Sequence, residues 1–326
     1  MSSFKALGFA LTMALVALMR PHAAQAWPDH PVRIVVPFAA GGPTDTLGRL
    51  VAQSMTRYLG QQVMVENVTG AGGTLGAARV AKAAPDGYTL LLINLSQATS
   101  RRMYRRLAYD PITSFAPIGL IADVPMTLVA RADLPIDNLE DLIEHLRVNE
   151  DSVAIGVAGL GTSSHLCRLL LTSATDTTVI DVPYQGTAPA LKDLLGGQID
   201  LLCDQTSGTT AYIRAGRIRA YALTAEHRLP TLPDLPTAAE AGLPQLRLVV
   251  WHGLYAPAGT PAAIVERLSA ALQAAVADPQ VIERMTALGG TMVPADQATP
   301  QALAAKLAAE TVRLVGVLDA AGVPAN

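Results

Sequence analysis

Three loops place glycines, hydroxyls and free backbone N–H groups where a strand hands over to a helix. In PFAAGGPTDTLGR (residues 37–49), Gly41 and Gly42 permit positive φ and a close approach of backbone to ligand. Thr44 and Asp45 fall at the start of the following helix, where unpaired N–H groups and the helix dipole attract anions. Asp45 either caps that helix or accepts a hydrogen bond from a ligand ammonium or an ordered water. In VAGLGTSSHL (157–166), Thr162, Ser163 and Ser164 gather three hydroxyls at a second helix start, an anion-friendly nest. In VPYQGTAPALKDLLGGQID (182–200), Thr187 reads as an N-cap and Pro189 lies in the first turn. That loop presents another helix start at Thr187 and Ala188, and Gly196-Gly197 closes the helix. Three such loops converging on one point would hold a carboxylate.

Bond-breaking chemistry is poorly served by the same residues. A hydrolase or transferase would use Ser163 or Ser164 as nucleophile with His165 as base, or Asp45. Residues one or two apart on a helix do not face each other, and no G-x-S-x-G elbow is present. His165 therefore reads as a structural hydrogen-bonding group, and no catalytic residue is assigned. GAGGTLG (70–76) misses the G-x-G-x-x-G spacing and lacks an acidic ribose partner. The six histidines show no metal-ligand spacing, the two cysteines form no CxxC, and no P-loop occurs. No cofactor and no metal are expected.

The elements that must position these loops alternate between strand and helix. VRIVVPF (32–38), QQVMVEN, YTLLLIN (88–94), SVAIGVA, TVIDVPY, QIDLLCD and IRAYALT read as short buried strands separated by helical patterns, which argues for parallel sheets covered by helices. Two longer extended runs, at 118–134 and 246–259, read as strands crossing between domains. The expected fold is α/β and two-lobed: two α/β domains joined by two crossing strands, with a ligand cleft between them. Residues 27–126 plus 250–326 form the discontinuous first domain, and 127–249 the second. Helices beginning near Pro261 and at Thr299-Pro300 complete the chain.

The first 26 residues read as an export signal. Lys5 precedes an apolar stretch from Ala6 to Met19, and Ala24-Gln25-Ala26 is a small-x-small cleavage site that leaves Trp27 first. The apolar run is short for a membrane span. Cys167 and Cys203 sit in apolar runs and read as two buried thiols in preference to a disulfide. A formal net charge of −3 with no basic stripe gives no footprint for nucleic acid. The protein is expected to be a periplasmic monomer.

At the same loops the chain resembles the Bug-type solute receptors of the tripartite tricarboxylate transporter family. The matching tracts also include NVTGAGGTLGAARVAKAAPDGYTLLL (67–92), MYRRLAYDPITSFAPIGLI (103–121), RLPTLPDLPTAAEAGLP (228–244) and WHGLYAPAGTP (251–261). The resemblance implies a two-lobed periplasmic binding protein that closes on a small organic acid or amino acid and serves transporter membrane subunits. It also implies that a ligand carboxylate is held by backbone groups of the first loop and the PYQGTAP loop. Carried over, Ala39, Thr44 and Asp45 lie on one lobe and Thr162, Ser163, Thr187 and Ala188 on the other. Val68-Thr69 and Gln185 depart from the commonest family pattern. LLCDQTSGTT (201–210) puts Asp204 at a strand's C-terminal end beside the cleft. There it either caps the next segment or faces a ligand ammonium, as in a branch of the family that takes amino acids. A sensor that contacts a signalling kinase would use the same closed surface.

Overall fold

The computed structural model describes residues 27–150 and 152–323; the first 26 residues, read above as an export signal ending at Ala26, lie outside them. The first lobe opens with β1 (Val32–Val36), α1 (Pro43–Leu59), β2 (Val63–Asn67), α2 (Thr74–Ala81), β3 (Thr89–Asn94) and α3 (Ser96–Met103). A single 17-residue strand, β4 (Phe115–Arg131), leads out of it. The second lobe carries α4 (Leu139–Val148), β5 (Ala154–Val157), α5 (Ser163–Thr175), β6 (Ile180–Pro183), α6 (Thr187–Leu195), β7 (Leu201–Gln205), α7 (Thr206–Arg214) and β8 (Ile218–Leu223). The chain returns through β9 (Val249–Pro257), α8 (Ala262–Val276), α9 (Pro279–Ala287), β10 (Thr291–Met292) and α10 (Pro300–Ala320).

The two-lobed α/β architecture expected from the alternation is present. Strand order is β2-β1-β3-β9-β4-β7-β5-β6, with β8 and β10 also on β4. β1 is parallel to both β2 and β3, and β5 is parallel to both β6 and β7. β4 joins the halves: Phe115 to Pro125 pair with β9, whereas Met126 to Ala130 pair with β7. The second connection is tied in where Leu248 N–H donates to Thr224 O at 3.2 Å, just before β9 begins.

Local sequence explains why these segments end where the site needs them. α1 starts on Gly42 with Pro43 in the first turn and stops at Gly60, whose φ of +71° completes a left-handed C-cap. β1 and β3 are aliphatic runs covered by helices on both faces, and Ile34, Val35, Leu90, Leu91 and Leu92 are fully buried. Helices α8 and α10 pack against β4, and Trp251 and Tyr255 of β9 are among the largest buried side chains. Fully burying one such side chain is worth roughly 1.5–3 kcal/mol.

One expectation is corrected. Cys167 and Cys203 are joined in a disulfide, with Cα atoms 6.2 Å apart. The spacing of 36 residues says nothing about proximity, but α5 packs directly on β7, and each contributes one of the pair. Among the described residues no cysteine is free, and no helix is long and apolar enough to cross a membrane.

Candidate functional site

The C-terminal ends of the parallel strands in both lobes point at one another, and the loops that follow them enclose a cavity of about 20 Å³. That is room for about one water. Phe38, Ala39, Gly42, Pro43 and Thr44 line it from the first loop, and Ala158, Thr162 and Ser163 from the second. Thr187 comes from the third. The halves meet tightly around it. Ala39 N–H donates to Gln185 O at 3.0 Å and Thr69 Oγ1 to Gln185 Oε1 at 2.7 Å. Thr99 Oγ1 donates to Gly161 O at 2.6 Å, and Tyr104 OH to Leu160 O at 3.2 Å. Gly186, with φ +141°, allows the approach: a Cβ there would stand 2.8 Å from Ala39 N.

Three helix starts face this cavity, and none carries a side-chain cap. The N-caps are Gly42 for α1, Thr162 for α5 and Gly186 for α6. The N-cap of α6 thus falls one residue before the expected Thr187. The Thr162 hydroxyl does not cap α5, because it donates to Gly159 O at 2.7 Å. Away from the cavity, Asn138, Asp278 and Thr299 cap α4, α9 and α10 through their side chains, whereas α2 and α8 have no side-chain cap. First-turn N–H groups left uncapped at a cavity are ready donors for an anion.

The other residues singled out in the sequence sit behind this surface. Gly41 takes φ +79°, and its N–H donates to Asp45 Oδ2 at 2.8 Å. The same oxygen accepts from Arg49 Nε at 2.9 Å, and Oδ1 accepts from Asn67 Nδ2 at 3.0 Å. Asp45 is therefore the brace of the first loop rather than a wall of the cavity. Burial pushes its carboxyl up, but the bonds from Arg49, Gly41 and Asn67 outweigh it and hold the carboxyl below the usual range. Asp45→Ala removes the acceptor of three hydrogen bonds and should lower stability by about 2 kcal/mol, loosening the loop and weakening ligand binding with it. Urea unfolding beside a titration checks both, and unchanged values in both would remove the brace.

Ser164 Oγ accepts the Ala158 N–H at 2.8 Å, and Ala188 approaches Gly42 across the cleft. His165 Nδ1 accepts from Gly161 N–H at 3.2 Å. Burial, helped by the Arg168 charge, pushes His165 down to about 4, so the ring is neutral. Neither serine meets an imidazole, and the nucleophile–base contact of a hydrolase does not form. Asp204, 1% exposed, lies behind Thr187 and Gln205. Burial pushes its carboxyl up to about 7 against smaller opposing bonds from Thr187 and the Gln205 N–H.

Asn94 and Gln205 line the cavity and escaped the sequence reading. Both end a strand, β3 and β7, at the edge where ligands of α/β folds bind, and that position was the available signal. Gln205 Oε1 is buried without a partner. Behind Thr44, His252 Nε2 lies 3.5 Å from the Thr44 hydroxyl, and burial pushes this ring down to about 4. A second space, about 480 Å³ and bordered by Phe38, Tyr104, Leu160 and Tyr184, adjoins the cavity across Phe38 and Ala158. Among the described residues no group of three His, Cys, Asp or Glu could hold a metal ion.

Comparison with known proteins gives the family and the fold. Residues 47–319 match the family model described as the tripartite tricarboxylate transporter family receptor. A protein of Agrobacterium vitis, from the TAR-I ttuE-ttuC' intergenic region, is 51% identical over 315 residues, covering 96% of this chain and 91% of its own. The solved periplasmic binding protein BugD superimposes with a TM-score of 0.90 at 47% identity, covering 92% of this chain and all of its own. MatC from Rhodopseudomonas palustris, solved with bound malate, gives 0.87 at 40% identity, covering 90% and 100%.

Proposed function

Because the chain belongs to the tripartite tricarboxylate transporter family of receptors, we propose that it is a periplasmic receptor that closes on a small carboxylate-bearing solute and delivers it to transporter membrane subunits. The observation that carries this reading is the convergence of three uncapped helix starts, from both lobes, on one cavity. Several N–H donors at helix ends stabilise a carboxylate without a cationic side chain. No bond is made or broken. Ala39, Gly42, Thr44, Thr162, Ser163, Thr187 and Ala188 surround the ligand carboxylate, and Gly41, Asp45 and Ser164 hold their loops in shape. The cavity of about 20 Å³ has room for about one water, so the lobes part to receive the ligand, whose body extends into the adjoining space of about 480 Å³.

The ligand we favour is an acidic amino acid or its amide. Asp204 and the unpartnered Gln205 Oε1 both offer acceptors beside the carboxylate-binding loops, which suits an ammonium. The malate bound to MatC favours a second reading, a plain dicarboxylate. Thermal-shift screening followed by calorimetry with aspartate, glutamate, succinate and citrate separates them, since ligands of the folded state raise stability by mass action. The expected result is tighter binding of an acidic amino acid than of citrate, with ligand recovered unchanged after denaturation. Thr187→Val should lower affinity about tenfold, because it removes the hydroxyl that bonds the Asp204 carboxyl and shapes the cavity wall. Recovery of a chemically altered ligand would replace the receptor by an enzyme.

A further inference from the structure

Asp204 is a buried carboxyl without a counter-charge, set directly behind the cavity wall. Its Oδ1 accepts the Gln205 N–H at 2.7 Å and the Thr187 hydroxyl bonds the same carboxyl, whereas Oδ2 has no partner. Both donors belong to residues that line the cavity. The other lobe covers it: a Cβ placed on Gly208 would stand 2.6 Å from Oδ2 and 3.1 Å from Pro43 Cγ, so no side chain fits between them.

The elements packed around Asp204 bring no cation to it. On α1, Asp45 and Arg49 bond each other. On α6, Lys192 lies in the last turn and Asp193 accepts from Tyr184 OH, and on α7 Arg214 is the last residue. Thr127 of β4 pairs with Asp204, and the charges of that strand, Asp123 and Arg131, stand four residues to either side. Arg219 of β8 pairs with Ala130 and bonds Asp137. His252, behind Thr44, is held neutral by burial.

A carboxylate ligand seated at Thr187 adds a second anion beside this carboxyl, and two close anions cannot both remain charged in a dry site. We propose that Asp204 determines which charges the closed cleft accepts, binding a proton when the ligand is a plain dicarboxylate and none when the ligand brings its own ammonium. One proton passes from solvent to Oδ2 as a dicarboxylate is captured and returns to solvent on release. The burial that pushes Asp204 up to about 7 in the unliganded fold makes this exchange accessible near neutral pH. It gives the cleft a way to hold either kind of acid. The proposal rests on the receptor reading above.

The test is calorimetry of the full chain and of Asp204→Asn with succinate and with aspartate, from pH 6 to 9, in phosphate and in Tris. Wild type should take up protons with succinate, seen as a buffer-dependent heat. Its affinity should fall up to tenfold per pH unit above neutrality, as expected when binding takes up one proton. Asp204→Asn, which mimics the protonated carboxyl, should bind succinate with neither dependence. Aspartate should bind wild type without proton uptake and lose affinity in the variant. Succinate binding by wild type that ignores both buffer and pH would overturn the proposal and leave the receptor intact. If no carboxylate binds, the receptor reading falls and the proposal with it. A ¹³C-carboxyl titration of the ligand-free chain supplies an independent arm, in which Asp204 titrating in the ordinary range near 4 also overturns the proposal.

Discussion

Replacing both Cys167 and Cys203 by alanine should lower the stability of the oxidised protein by about 4 kcal/mol, the loop-closure value for a cross-link spanning 36 residues. Alanine is the better probe, because serine would bury two hydroxyls in an apolar layer and add a cost of its own. Both cysteines are fully buried, so the small cavities left behind add to the loss rather than offset it. The bridge also lies close to the candidate site. Cys167 lies one turn into α5, whose start carries Thr162 and Ser163, and Cys203 immediately precedes Asp204. It therefore ties one cavity-facing helix start to the strand that ends in Asp204 and Gln205. Urea unfolding of wild type and of the double variant measures the effect. An unchanged midpoint, or equal stability with and without a reductant, would show that the two cysteines do not cross-link the chain.

The fold was legible because its signals are local. Aliphatic runs such as VRIVV and TLLLIN have the composition of strands buried on both faces, and Gly-Pro and Thr-Pro pairs mark the starts of α1 and α10. The three loops were legible for the same reason, since a glycine turn followed by a hydroxyl at a helix start is a pattern of neighbours in sequence. What the sequence did not show depends on distant residues. Asp45 has the sequence of a capping or ligand residue, yet its partners include Asn67 of β2, and only strand pairing brings that amide to it. Asn94 and Gln205 carry no motif and acquire meaning only because two strand ends meet at one edge. The disulfide was missed on the same ground: proximity across 36 residues is a property of how α5 packs on β7, not of either tract.

The Asp204→Asn variant should gain about 4 kcal/mol of stability relative to wild type between pH 4 and pH 8. The fold raises this carboxyl from its ordinary 3.8 to about 7, mainly by burial. A raised value means that the folded chain holds the proton more tightly than the unfolded chain does. The contribution of Asp204 is therefore complete below pH 3.8 and is lost as pH rises toward 7, where a charge must sit in a dry site with two donors and no cation. Above that value the loss is constant. Asparagine does not titrate, so its stability carries none of this slope, and other groups that titrate in the same range cancel in the difference. Asp45 and Glu310, for example, are both held below the usual range and affect the two proteins alike. The amide nitrogen of asparagine takes the place of an oxygen or of its proton and shifts the difference by a fixed amount, so the diagnostic quantity is the change with pH and not the offset. Urea midpoints of both proteins at several pH values give that change directly. A stability difference that stays flat from pH 4 to pH 8 would mean that Asp204 is ionised throughout and that some unrecognised cation or water compensates it. On the proposal above, the same slope should shrink when aspartate saturates the cleft, because a ligand ammonium in the cavity in front of Asp204 favours the charged carboxylate that the empty fold disfavours.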